Sequence, residues 1–166
     1  MRRYAENTKV GVAKSRSEIG KLLQEWGARR VLWEDDFSGP SQHILRFVWS
    51  YKKHELTARF SLKMDRERIE EESKHSRSGK ILQTKLDKNL GKWSKEAHRT
   101  LLIMLKGIFN AIALGIIKPE SIFITFTEDA SGNVLGDVLA DRLIKLQKPT
   151  ARNLLTAGDE EGIDNE

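Results

Sequence analysis

The sequence predicts an α+β domain of two layers, an antiparallel sheet of three to four strands packed against helices in the order α-β-β-β-α-β-α. Two segments that alternate apolar and polar residues stand close together, His43 to Tyr51 and Glu55 to Lys63. Segments with apolar residues at helical spacing flank them, and at 166 residues the chain fits one domain. The domain is expected over residues 1–148, with an acidic, patternless tail over 149–166.

Ser15-Arg16-Ser17-Glu18 has capping-box spacing and predicts a helix start. Ile19, Leu22, Leu23 and Trp26 then form one apolar stripe, and Gly27 offers a left-handed end. Arg30 to Phe37 reads as the first strand, with Val31, Trp33 and Phe37 on one face and Asp35 interrupting it. Ser38-Gly39-Pro40-Ser41 is a turn. The second strand puts Leu45, Phe47 and Trp49 on one face, and the third puts Leu56, Ala58, Phe60 and Leu62 inward. Tyr51-Lys52-Lys53-His54 is the expected hairpin tip.

Residues 64–91 are dense in charge and read as an insertion or a broken helix. Trp93 to Leu114 reads as the main core helix, ended by Gly115 and Pro119. Ser121 to Thr127 is β-branched and aromatic enough to predict a fourth strand. A last amphipathic helix is expected from about Gly136 to Gln147.

Composition narrows the function classes. With no cysteine the chain holds neither a disulfide nor a thiolate metal site, which fits a cytoplasmic protein. The apolar run from Leu101 to Ile117 carries Lys106 and Asn110 and reads as a buried helix, so no membrane partner is expected. The net charge of +5 is polarised: residues 1–106 carry 24 basic and 14 acidic side chains, and residues 107–166 carry 5 and 10. A basic body favours anions, and nucleic acid is the commonest large one.

No phosphate-loop, dinucleotide or nucleophile-elbow pattern occurs, so catalytic residues and cofactors are expected to be none. The four histidines, His43, His54, His75 and His98, have no metal-ligand spacing. Glu34-Asp35-Asp36 with Glu55 is the nearest approach to a carboxylate cluster, but alternation splits the triplet between two faces; no metal site is expected.

A binding surface is better supported. Arg46, Arg59 and Lys63 share the predicted polar face, Lys52 and Lys53 stand at the tip beside Tyr51 and His54, and Arg29 and Arg30 enter the first strand nearby. These side chains are of the types that follow a phosphate backbone and stack on bases. A plain solvated sheet face, with lysines guarding its edge, is the competing reading. Trp33, Trp49 and Trp93 fall on core-facing patterns and Trp26 on the helix stripe, so all four read as packing.

Several blocks taken together carry a family resemblance. They are Tyr4-Ala5-Glu6-Asn7-Thr8-Lys9-Val10, Lys14-Ser15-Arg16-Ser17-Glu18-Ile19, Trp26-Gly27-Ala28, and Arg99-Thr100-Leu101-Leu102-Ile103-Met104-Leu105-Lys106. Gly115-Ile116, Phe123-Ile124 and Gly132-Asn133-Val134-Leu135-Gly136 complete the set. Over residues 4–140 the chain resembles a widespread family of small phage and prophage proteins of no established function. The blocks mark helix starts and core positions and transfer no catalytic residue.

The resemblance implies a role in phage DNA metabolism, as a replication or recombination accessory that binds single-stranded DNA. The three-strand-plus-helix plan is also similar in topology to the core of phage single-strand annealing proteins. The acidic tail would then recruit a phage or host replication protein or compete for the basic surface. Two alternatives stay open: a protein-interaction module acting on a host factor, and a divalent-metal nuclease built on Asp35, Asp36 and Glu55.

Overall fold

The computed structural model describes residue 5 and residues 8–36, 42–75 and 78–147. Helix α1 spans Val12–Glu25, followed by strands β1 (Arg30–Asp36), β2 (Gln42–Tyr51) and β3 (His54–Lys63). Helices α2 (Arg66–Ser73), α3 (Gln83–Ala113), α4 (Pro119–Phe123) and α5 (Leu135–Gln147) complete the fold, with a 3-10 turn over Ile124–Phe126. The sheet is an antiparallel meander in the order β1-β2-β3, so the α+β architecture follows the sequence expectation. The expected turn at 38–41 and the acidic tail at 149–166 lie outside the described residues.

Register fixes the two faces. Val31 pairs with Phe47 and Phe47 with Ala58, and likewise Trp33 with Leu45 and Leu45 with Phe60. These side chains share one face, against which α1 brings Ile19 and Leu23 and α3 brings Leu101, Leu102, Leu105 and Phe109. Ser94 of α3 bonds to His43, while Phe109, about 22 Å further along the helix at 1.5 Å per residue, shares a cavity wall with Trp49 and Tyr51. Those partners on β2 are separated by about 20–26 Å at 3.3 Å per residue, so α3 runs alongside β2 in the same direction.

Both glycine-ended helices close as the sequence predicts. After α1, Gly27 takes φ +86°, its N–H donates to the Gln24 carbonyl and that of Ala28 donates to Leu23. Gly115 takes φ +69° after α3, with the N–H groups of Gly115 and Ile116 donating to Ile112 and Ala111. Each pair is a Schellman motif, and a Cβ at either glycine would be strained at that φ.

Three expectations are corrected. The helix expected from Ser15 starts at Val12 with Gly11 as N-cap, and no side chain caps it. Ser15 lies in line with Ile19 and Leu23 at a spacing of four, so burial of that stripe carries the helix upstream and leaves Ser15 fully buried.

The fourth strand is absent. Ser121–Thr127 forms α4 and the 3-10 turn; it packs Phe123 and Phe126 against the sheet but pairs with it only through an isolated bridge between Thr127 and Ala58. Pro119 at the first helical turn presets the helical φ. The hydroxyls of Thr125 and Thr127 then donate to the carbonyls of Ile122 and Phe123, local bonds that compete with strand pairing.

Trp26 is the third correction, since it is 42% exposed at the end of α1 rather than packed away. The charged stretch at 64–91 holds α2 and the start of α3, joined by a bridge between Lys74 and Ile81.

Gly136 opens the last helix against the backbone of Thr125. A Cβ there would stand 2.6 Å from the Thr125 carbonyl oxygen, whereas one on Gly107, exposed within α3, meets nothing within 4 Å. Gly136→Ala is therefore expected to cost roughly 1–3 kcal/mol, and Gly107→Ala to stabilise by about 0.5–1 kcal/mol through helix propensity. Thermal melts of the two variants should move in opposite directions by a few degrees.

A candidate nucleic-acid interface at the hairpin tip

The eight basic and aromatic residues expected to bind divide into two groups. Arg46 and Arg59 lie directly opposite each other in the β2-β3 ladder, on the face away from α3. Like charges so placed repel, and the chain supplies carboxylates to separate them. Arg46 pairs with Glu34 and, through Nε, with Glu128 at 3.0 Å; Arg59 reaches Glu128 at 3.5 Å. Glu128 is only 12% exposed between the two guanidiniums. The hydrogen bonds that Arg46 donates to Glu34, then those to Glu128, raise its pKa above the ordinary value. Two cations and two carboxylates make this part of the face neutral, with both guanidiniums engaged in internal ion pairs. Lys63 stands exposed at the far end of β3 from the tip.

The other five gather at one end of the sheet. Tyr51 and His54 close the hairpin, and Lys52 and Lys53 between them take φ +47° and +69°. Two central residues with positive φ make a type I′ turn, a conformation that favours Asn-Gly and is strained for lysine. Arg29 and Arg30 reach the same end, because the Arg29 N–H donates to the Val48 carbonyl and Arg30 pairs with Val48. Arg29 meets Glu55 at 2.5 Å, but the two side chains are 67% and 52% exposed, and an exposed pair of this kind holds by less than about 1 kcal/mol. Arg29 can turn to another anion. Lys52 places its amine 5.2 Å above the Tyr51 ring.

Beside the tip, on the helix side of the sheet, lies a cavity of about 380 Å³. Trp26, Trp49, Tyr51, Phe109 and Phe123 line it, together with Glu120. The Trp26 indole stacks on Phe109 with ring centroids 4.7 Å apart and exposes much of its surface. A larger cavity of about 690 Å³ lies along β3, with Phe60, Leu62, Leu101 and Met104 in its wall, and Lys63 is the one of the eight residues besides Arg59 that borders it.

No family model, curated protein or solved structure matches the chain. What the residues can do therefore rests on their own geometry.

A polar cluster that the sequence reading missed stands at the other end of the sheet. Arg16 of α1 grips both oxygens of Asp35, the second at 3.2 Å, and its Nε donates to His98 Nε2 at 2.9 Å. Arginine only donates, so Nε2 accepts and the His98 proton sits on Nδ1, which donates to the Ser94 carbonyl at 2.7 Å. His43 Nδ1 lies 2.5 Å from Asp35, and its Nε2 lies 3.0 Å from the Ser94 hydroxyl. Trp93 stacks on His43, and the Arg16 guanidinium lies over Trp33 at 4.7 Å.

Ser94, His43 and Asp35 have the order of a nucleophile relay, but the site lacks the rest of one. Ser94 lies about three turns inside α3, where the flanking amides are engaged in helix bonds and form no oxyanion hole. The cluster ties α1, the sheet and α3 together.

A shared metal is excluded between Asp35 and Glu55. They pair with His43 and Ser50, seven residues or about 23 Å apart along β2. No group of three or more potential metal ligands occurs among the described residues. The signal for the cluster was present, since Asp35, His43 and His98 each sit on an otherwise apolar face.

Burial holds the His98 pKa down to about 4, against an ordinary 6.5. The unfolded chain takes up this proton first, so the native state loses stability as pH falls from 6.5 towards 4, by roughly 3 kcal/mol over the window. The Arg16 hydrogen bond lowers Asp35 from 3.8 to about 2, so its contribution is lost only below 3.8. Urea unfolding from pH 7 to 4 should show the decline, and His98→Gln, which keeps a donor and an acceptor, should flatten it.

Proposed function

We propose that this protein binds single-stranded nucleic acid at the hairpin-tip end of its sheet, with Lys52, Lys53, Arg29 and Arg30 on the backbone phosphates and the aromatic cavity beside them receiving bases. The observation that carries this reading is that those cations and Tyr51 gather at the end of the sheet that also holds an aromatic-walled cavity, in whose wall Trp26 is exposed and Tyr51 half-buried. Cations supply the sequence-independent attraction through counterion release, and stacking adds roughly 1–3 kcal/mol per base. The site thus moves from the sheet face, where Arg46 and Arg59 are neutralised, to the end of the sheet. The resemblance to phage proteins supports a place in phage DNA metabolism. No described helix is long and apolar enough to cross a membrane.

A second reading, a protein-interaction module, is favoured by one feature. Leu114 and Ile116, in the turn after α3, are 76% and 70% exposed. Apolar association survives salt, whereas phosphate binding does not.

Fluorescence anisotropy of labelled oligonucleotides at two salt concentrations separates them. Binding should be salt-sensitive and stronger for single than for double strands. The double variant Lys52→Asn with Lys53→Gly relieves the strained turn, so it should stabilise the fold by roughly 1–2 kcal/mol while weakening binding and flattening its salt dependence. A variant that is both more stable and unchanged in binding would remove the tip from the site, and absence of binding at low salt would retire the nucleic-acid reading.

A further inference from the structure

The cavity at the hairpin tip is built for a particular ring. Its wall is largely aromatic, and Glu120 is the charged side chain among its described lining residues, with Ser50 beside it in the wall. Glu120 stands in the first turn of α4, half-buried, and Ser50 is exposed at the end of β2. At about 380 Å³ the space holds one planar base with its sugar at the mouth.

An ionised carboxylate accepts hydrogen bonds and donates none. Guanine alone among the four DNA bases presents two adjacent donors, N1–H and the 2-amino group, which match the two carboxylate oxygens. Adenine and cytosine set a ring acceptor beside their amine, so a carboxylate meets one donor and one repelling lone pair. Thymine offers a single imide N–H between two carbonyls. Tyr51 lines the cavity and the Lys52 amine stands 5.2 Å above its ring, so a cation lies one residue from the wall, within reach of the phosphate of an inserted base.

We infer that this cavity takes one unstacked guanine of a single strand, stacked against Trp26 and Tyr51 and read by the Glu120 carboxylate. The inference rests on the nucleic-acid reading and adds base preference to it. Two bonds to a charged acceptor are made only by the matching base, and a bidentate pair of this kind discriminates by roughly tenfold or more in affinity. Glutamine at position 120 keeps the shape but turns one acceptor into a donor, which abolishes the match to guanine.

The test uses the full chain with ten-residue thymidine oligonucleotides carrying one central guanine, adenine or cytosine, and with guanosine monophosphate alone, read by anisotropy and by tryptophan fluorescence. The wild type should bind the guanine oligonucleotide about tenfold more tightly than all-thymidine, with Trp26 quenched. Glu120→Gln should lose that preference and keep the salt-dependent binding of all-thymidine. Trp26→Leu should lose the guanine gain as well, with both variants checked for an unchanged far-UV spectrum. Equal binding of all four strands by the wild type would overturn the guanine pocket and leave the tip interface standing. Quenching by guanosine monophosphate without binding of any strand would overturn the strand reading and assign the cavity to a free nucleotide. No response to any of these ligands would overturn both.

Discussion

The position of every residue discussed above depends on one burial, the stripe of Leu101, Leu102, Leu105 and Phe109 on α3 laid along the inner face of β2 and β3. Leu102 and Leu105 are fully buried, as are Leu45 and Ala58 opposite, so the helix has no freedom to slide without opening the core. Because α3 runs beside β2 over the length of the strand, the same packing sets what lies at each end. Ser94 and His98 come to His43 at one end, and Phe109 comes to Trp49 and Tyr51 at the other. The polar tie and the aromatic cavity are two consequences of a single helix placement.

The outer face shows how little a count of charges says about a surface. Arg46 and Arg59 share a face, as alternation requires, and their direct opposition is the reason a carboxylate stands between them. Two guanidiniums side by side are costly until an anion stands between them, and an internal carboxylate is always present at high effective concentration. Glu128 fills that position from a segment 69 residues beyond Arg59. At the hairpin tip both lysines are exposed, and the exposed Glu55 pairs with Arg29 there. The difference between the two groups of cations is geometry, since both are made of arginines and lysines.

Local pattern made the sheet, the tip and the main helix legible, because alternation and helical spacing are read over a few residues. Gly27 and Gly115 were legible for the same reason, each being a local requirement for positive φ. Legibility failed where distant partners decided the outcome. The Arg16-to-His98 bond spans 82 residues, and the sequence held only three polar residues misplaced on apolar faces as a sign of it. It also failed where one local preference outweighed another. Ser121–Thr127 has strand composition, yet Pro119 and the threonine hydroxyls favour the helical turn, and β3 pairs with it only at Ala58. Of the candidate site, the tip residues were legible. The cavity was not, because α1, β2, α3 and α4 each contribute a wall.

Places where a sequence breaks a local rule without gain in stability are where function is to be sought. Two such breaks stand at the same end of this protein. Lysines occupy both left-handed positions of a turn that asparagine and glycine would fit with less strain. A tryptophan that continues the buried stripe of α1 is left 42% exposed, its ring stacked on Phe109 at the edge of a cavity. Neither is required by the core, which closes through Ile19 and Leu23 without Trp26, and through a hairpin that any type I′ turn would join. A strained, doubly charged tip at the same end as an exposed tryptophan is a costly arrangement that neither the core nor the hairpin requires.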